Sequence, residues 1–141
     1  MRYCRLAKYS IDEVLPYVVT SDVRLELVKR GVKKKSAEYI EATERNYDGH
    51  MVKMTSQRYQ LFAGQGVTCV SCGVVGEYFA LEKGISDTGD RYHFNLYGMK
   101  DGAEVMLTKD HIIPKSKGGR NFLSNYQVMC FECNLEKADK L

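Results

Sequence analysis

Apolar residues in the first half of the chain are spaced mainly as in helices. Residues 21–31 fit a helix capped at its first residue and stopped by Gly31, although their apolar positions also alternate as in a strand. Ser36 is a suitable N-cap for a second helix over residues 37–47. A third short helix, capped by Thr55 or Ser56, is predicted to end at Gly64. Residues 1–20 give no clear pattern, because a proline interrupts their helical spacing.

The second half of the chain alternates between apolar and polar residues, which predicts strands. Three strands over residues 74–81, 91–97 and 104–109 would form an antiparallel meander. The predicted turns between them are Lys83-Gly84, 87–90, Gly98 and Asp101-Gly102. A short strand over residues 126–129 and a final helix over residues 133–140 follow.

The chain of 141 residues is long enough for one domain with a modest core, and the pattern predicts an α+β fold. A mostly helical N-terminal region, residues 1–54, would precede a second region, residues 55–141. No apolar run approaches the roughly 20 residues that span a bilayer, so no membrane partner is expected. The first ten residues lack the apolar core of a secretory signal, which predicts a cytoplasmic protein.

The five cysteines are the clearest sign of a metal site. Four form the pairs Cys69-Val-Ser-Cys72 and Cys130-Phe-Glu-Cys133, and Cys4 is left over. In a reducing compartment such pairs bind metal more often than they form disulfides. Structural zinc prefers four thiolate or imidazole ligands in a tetrahedron, so the two pairs are predicted to bind one Zn²⁺.

Asp110 and His111, at the end of the third predicted strand, are the candidate catalytic pair. Neighbouring strand side chains point to opposite sides, so these two can flank one substrate group rather than share one ion. The Asp110 carboxylate suits a hard cation such as Mg²⁺, and His111 suits proton abstraction near neutral pH. The amide oxygen of Asn134, next to Cys133, is a candidate second ligand. Asn125 is expected to hydrogen-bond either the His111 loop or the imidazole.

Two groups of basic residues are candidates for phosphate contact. The net charge of +3 permits a nucleic-acid partner but does not by itself predict one. A solvated linker is the main interpretation of the lysine run between the first two helices, with phosphate contact as the alternative. The two groups are Lys115, Lys117 and Arg120 in the loop after His111, and Lys33, Lys34 and Lys35 in the run.

The C-terminal motifs resemble those of HNH endonucleases, of the His-Me finger or ββα-metal group. The resemblance covers about residues 55–141. It implies a zinc-stabilised ββα-metal module with the β-meander as an insert. The matching pattern is Asp110-His111-x-x-Pro114, Gly118-Gly119, Asn125 and Cys130-x-x-Cys133-Asn134-x-x-Lys137, with Cys69-x-x-Cys72 upstream.

The resemblance implies a role for each motif residue. His111 would be the general base and Asn125 would orient it. Asp110 and Asn134 would hold a catalytic divalent cation, Mg²⁺ or another, while the cysteines would bind a structural zinc ion. Lys137 joins the candidate nucleic-acid contacts. The sequence departs from the family pattern at its third signature position, which is asparagine rather than histidine.

The implied function is metal-dependent hydrolysis of DNA phosphodiester bonds, with RNA as a further possible substrate. The alternative is a non-catalytic zinc module that binds nucleic acid or a protein on the same scaffold. Target selection would come from the N-terminal half, the insert, a partner protein or a homodimer. Small proteins of this family are often encoded by phages and mobile elements.

Overall fold

The computed structural model describes residues 3–86, 89 and 91–141, and it combines helices with strands. The strands are β1 (Tyr3–Ser10), β2 (Glu44–Tyr47), β3 (His50–Lys53), β4 (Gly76–Gly84), β5 (His93–Lys100), β6 (Ala103–His111) and β7 (Tyr126–Cys130). The helices are α1 (Ile11–Val14), α2 (Ser21–Lys29), α3 (Ala37–Thr43), α4 (Gln57–Gln65) and α5 (Phe131–Lys137). None of the described helices is long and apolar enough to cross a membrane.

Five of the strands form one antiparallel sheet in the order β1-β4-β5-β6-β7. The predicted meander is its centre, β4 to β6, and β7 is the predicted short strand. The predicted turn at residues 101 and 102 joins β5 to β6. The predicted turn at residues 87–90 lies outside the described residues except for Gly89.

The N-terminal region is less helical than expected, because it holds three strands beside its helices. β1 adds to the edge of the main sheet by pairing with β4, from Tyr3 opposite Gly84 to Ser10 opposite Tyr78. The hairpin β2–β3 takes the four residues that were expected to extend the second helix. That helix, α3, therefore ends at Thr43, and Tyr47 turns into the core.

The other two helices predicted in the first half of the chain form close to their expected limits. α2 begins at Ser21, with Thr20 as its N-cap, and buries Leu27. The Ser56 hydroxyl accepts the N–H of Tyr59 and caps α4, which continues one residue past Gly64. Both segments are therefore helices, and the strand alternative for the first is wrong.

One continuous core lies between the sheet and the helices. Phe79 of β4 packs against Phe62 of α4 and against Phe94 of β5, and all three rings are almost completely buried. Val14 and Val52, from the N-terminal region, belong to the same cluster. Residues on both sides of the predicted boundary thus share a core, and the division into regions 1–54 and 55–141 stays a prediction.

Gly98 does not form the turn that was expected there but lies inside β5, opposite Val105. A Cβ atom at this position would lie 2.4 Å from the carbonyl oxygen of Val75. Glycine is therefore required here because another segment of backbone passes too close for any side chain.

The Gly98→Ala variant is expected to lose about 1–3 kcal/mol of unfolding free energy, because the backbone of Val75 must move aside. Gly64→Ala is the matched control. Gly64 is helical with open space around it, so alanine there should stabilise by up to about 1 kcal/mol. Chemical denaturation of both variants checks this. Equal stability of the two variants would contradict the close approach.

Candidate functional site

The two cysteine pairs meet in one cluster, as the sequence predicts. Their four sulfur atoms all lie within 4.8 Å of one another, and no disulfide joins any of the five cysteines. Zn–S bonds of about 2.3 Å in a tetrahedron place the sulfurs about 3.8 Å apart. The Sγ atoms of Cys72 and Cys130 are 3.8 Å apart. The cluster therefore has the size and chemistry to hold a zinc ion.

Each pair is shaped by backbone hydrogen bonds to its first sulfur. The N–H of Cys72 donates to Cys69 Sγ at 3.5 Å, and the N–H of Cys133 donates to Cys130 Sγ at 3.4 Å. The second bond makes Cys130 the N-cap of α5. Gly73, at φ 82°, donates its N–H to the Cys69 carbonyl at 3.0 Å. The cluster thus ties the loop before β4 to the start of α5.

The electrostatics of the cluster also favour a cation. Burial opposes ionisation of Cys69, but hydrogen bonds from backbone N–H groups outweigh it and lower the pKa of this thiol to about 6. Burial raises the pKa of the Cys130 thiol to about 12, and the charge of Cys69 contributes to the rise. A cation would offset the repulsion among several thiolates.

The predicted catalytic pair lies at the end of β6, with its side chains on opposite faces of the sheet. Asp110 is paired with Gln127 of β7, and His111 with Tyr126. α5 packs against both strands on the Asp110 side. β6, β7 and α5 together therefore position this pair.

One oxygen of Asp110 is held firmly and the other is open. The carboxylate is only 5% exposed. Its Oδ2 accepts a hydrogen bond from Gln127 Nε2 at 2.9 Å and forms an ion pair with Lys137 Nζ at 3.2 Å. Lys137 also donates to the His111 carbonyl at 2.8 Å. Oδ1 makes no hydrogen bond with the described residues.

The side-chain amide of Asn134 is also held by one of its two polar atoms. Its Nδ2 donates to Thr108 Oγ1 at 2.9 Å, and that hydroxyl in turn donates to the Met129 carbonyl at 2.7 Å. The amide group therefore has a defined orientation. Within the described part of the chain its Oδ1 has no hydrogen-bond partner, so this oxygen is available as a ligand.

The imidazole of His111 is bonded to Asn121, a residue that the sequence analysis did not select. His111 Nε2 lies 2.8 Å from Asn121 Oδ1. An amide oxygen can only accept, so Nε2 carries a proton, and in the neutral imidazole Nδ1 then keeps its lone pair. No hydrogen bond from the described residues reaches Nδ1. Nothing in the sequence distinguishes Asn121 from an ordinary loop asparagine.

Asn125 holds the loop rather than the imidazole, which is one of the two roles considered for it. Its side chain accepts the N–H of Ile113 at 2.9 Å and donates to the carbonyls of Ile113 and Arg120 at 3.1 and 2.9 Å. Gly119 lies in the same loop, where a Cβ would be 1.6 Å from the Ile113 oxygen. The loop is thus closed by tight backbone contact.

Asp110, His111 and Asn134 line one open cleft of about 270 Å³. The two candidate ligand residues and the candidate base therefore belong to the same surface feature. The remaining lining residues are Lys109, Pro114, Lys115, Ser116, Ala138 and Asp139.

Comparison with known families agrees with this geometry. A model described as HNH endonuclease matches residues 97–141. This segment is similar to HNH endonucleases. No curated protein and no solved structure matches the chain. The resemblance predicted from the motifs is confirmed over residues 97–141, while Cys69 and Cys72 lie upstream of the matched HNH segment.

The predicted nucleic-acid contacts are spread over three places. Lys115, Lys117 and Arg120 are exposed in the loop of the HNH segment. Lys33, Lys34 and Lys35 are exposed between α2 and α3, and no hydrogen bond or ion pair among the described residues links them to the cleft. Lys137 is mostly buried against Asp110, with 12% of its side chain exposed. Its amine is therefore engaged inside the site.

The Cys72→Ser variant is expected to bind no zinc and to lose much of its stability. Structural zinc contributes on the order of 10–16 kcal/mol in small modules, comparable to the stability of a domain. Cys4→Ser, which removes the cysteine outside the cluster, is the control. Elemental analysis and thermal unfolding check both variants. One zinc ion per chain retained in Cys72→Ser would contradict the assignment.

Proposed function

We propose that the protein is a metal-dependent endonuclease that hydrolyses phosphodiester bonds of DNA. One observation carries the proposal. Asp110, Asn134 and His111 line a single cleft, and the first two are each held by one polar atom while their Oδ1 atoms have no hydrogen-bond partner among the described residues. β6, β7 and α5 follow the strand–strand–helix order expected for the family, and a family of nucleases supports a nucleic-acid substrate.

The open oxygens fit a hard divalent cation. A carboxylate oxygen and an amide oxygen are the ligands that Mg²⁺ prefers, and Mg²⁺ is commonly held by one or two protein groups, with water and substrate phosphate as its other ligands. Such an ion would stabilise the negative charge that develops on the leaving oxygen. Asparagine in place of the third signature histidine keeps this ligand set entirely oxygen-based.

The contacts to Oδ2 hold the Asp110 carboxylate in one orientation. Gln127 and Lys137 both bond Oδ2, so the carboxylate cannot rotate freely and Oδ1 stays directed away from them. Lys137 also bonds the His111 carbonyl, which couples α5 to the backbone of the candidate base. Positioning of this kind matters because displaced catalytic groups lose much of their effect.

His111 acts as the general base through Nδ1. A water molecule attacks the phosphorus, and its proton passes to the free lone pair of Nδ1. The bond between phosphorus and the leaving sugar oxygen then breaks, and that oxygen takes up a proton. Asn121 holds the proton on Nε2 by accepting its hydrogen bond, so the basic nitrogen is the one left open.

In this proposal the four cysteines bind a structural zinc ion that takes no part in the chemistry. Cys133 is one of its ligands and Asn134 is the next residue, so the zinc fixes the start of α5 and the origin of the Asn134 side chain. The proposal also allows RNA as a substrate, and a homodimer or a partner protein that selects the target. Phosphate contact by the lysine run before α3 belongs to it as well.

A plasmid-nicking assay with zinc-loaded protein and added Mg²⁺ or Mn²⁺ tests the proposal. Wild type should cut only with the added ion. His111→Ala should lose roughly 10²–10⁴-fold in rate, the contribution of a general base. His50→Ala is the control, because His50 packs against Tyr92 in another part of the fold.

The two variants should keep their zinc and their stability. Cutting by His111→Ala at the wild-type rate would show that another group is the base. No metal-dependent cutting by the wild type, on DNA or RNA, would favour the alternative of a non-catalytic binding module.

Asn121→Leu tests the assignment of Nδ1 as the basic nitrogen. Loss of one hydrogen bond of about 0.5–1.5 kcal/mol should reduce the cutting rate roughly two- to ten-fold. Imidazole ¹⁵N NMR should show the proton on Nε2 in the wild type and a mixture of tautomers in Asn121→Leu. Asn46→Leu, in the remote β2–β3 hairpin, is the control. A proton on Nδ1 in the wild type would contradict the assignment.

A further inference from the structure

Three cations stand beside the proposed site without an acidic partner. They are Arg58 of α4, Lys109 of β6 and Lys115 in the loop. None of the ion pairs among the described residues involves any of them. Clustered positive charge that the fold leaves unpaired points to an anionic ligand.

Lys109 lies next to the candidate base. It precedes His111 by two residues in the same strand, so both side chains project from the same face. Lys109 Nζ lies 4.3 Å from the centre of the Tyr126 ring, and the His111 ring meets that same ring edge-on at 4.9 Å. Tyr126 is 1% exposed, and its hydroxyl donates to Gln57 at 3.1 Å. A fixed ring thus holds the amine and the imidazole side by side.

Arg58 brings a second fixed charge from outside the matched HNH segment. It lies in the first turn of α4, and one of its terminal nitrogens donates to the Phe94 carbonyl at 2.6 Å. The guanidinium is therefore anchored at the Phe94 carbonyl and at the Tyr59 side chain, and its five N–H donors exceed these two contacts. Arginine with free donors is well suited to phosphate oxygens.

Hydrogen bonds place the start of α4 beside this ring. Gln57, which precedes Arg58, accepts the Tyr126 hydroxyl at 3.1 Å and donates to the Asn121 carbonyl at 3.0 Å. Arg58 therefore follows a residue that contacts both the ring beneath Lys109 and the loop of Asn121.

We propose that Lys109 and Arg58 bind a backbone phosphate of the nucleic acid next to the one that is cleaved, on the His111 side of the cleft. The substrate class in this inference rests on the proposed nuclease function. In this arrangement the phosphate backbone runs from Arg58 past Lys109 to Lys115, which lines the same cleft as Lys109. We call this route the phosphate path. The path enters from α4, which gives the region upstream of the HNH segment a direct role in substrate binding.

Salt-dependent DNA binding tests this inference without requiring cleavage. Fluorescence anisotropy is measured with a labelled duplex and zinc-loaded protein, with no other divalent ion added. Each lost phosphate contact should reduce the slope of log K against log salt by about 0.9. That reduction is expected for Lys109→Met and again for Arg58→Gln, whereas Lys109→Arg should retain the wild-type slope.

Lys8→Met is the matched control. Lys8 Nζ lies over the Tyr78 ring at 4.5 Å, so it makes the same type of contact as Lys109 but on β1 at the far edge of the sheet. Its slope should not change.

An unchanged slope in both Lys109→Met and Arg58→Gln would overturn the inference, and so would an equal change in Lys8→Met. These outcomes are separate from the test of the nuclease function. Reduced slopes in a protein that cuts nothing would support the phosphate site and reject catalysis. Unchanged slopes in a protein that cuts DNA would reject the phosphate site and support catalysis.

Discussion

The meeting of four cysteine sulfurs is the constraint on which the candidate site depends. Cys69 and Cys72 come from the loop before β4, while Cys130 and Cys133 come from the junction of β7 and α5. The N–H of Val70 also bonds the Val128 carbonyl at 2.9 Å, so the loop lies directly on β7. A short helix of seven residues has little stability alone. Its position, and the direction of Asn134, therefore follow from this attachment.

The polar groups of the site share a feature that separates them from structural polar groups. Asp110, Asn134 and His111 each have one atom fixed by the fold and another left open. Glu82, also buried in the sheet, is different, because Arg5 bonds one of its oxygens while Asn95 and Tyr97 bond the other. A fully bonded carboxylate joins strands together. A carboxylate with only one oxygen hydrogen-bonded has the other available for a ligand.

Local sequence signals predicted the features that depend on local physics. The meander followed from alternation, the cap of α4 from Ser56, and the metal cluster from the spacing of the cysteines. β1 could not be predicted, because its partner β4 lies some 70 residues away and pairing at that distance leaves no local signal. The contact of Asn121 with the imidazole depends on how the loop closes. Asn125 and Gly119 settle that closure through backbone contacts that spacing does not reveal.

The proposed chemistry requires that β6, β7 and α5, fixed by the cysteine cluster, offer two oxygens to a second cation beside an imidazole. Anomalous diffraction from crystals of the zinc protein soaked in Mn²⁺ tests it most directly. The account predicts a manganese ion bonded to Asp110 Oδ1 and Asn134 Oδ1 at about 2.0–2.3 Å, separate from a zinc ion within the cysteine cluster. Manganese that binds elsewhere, or a cleft that takes up no ion at saturating Mn²⁺, would contradict it.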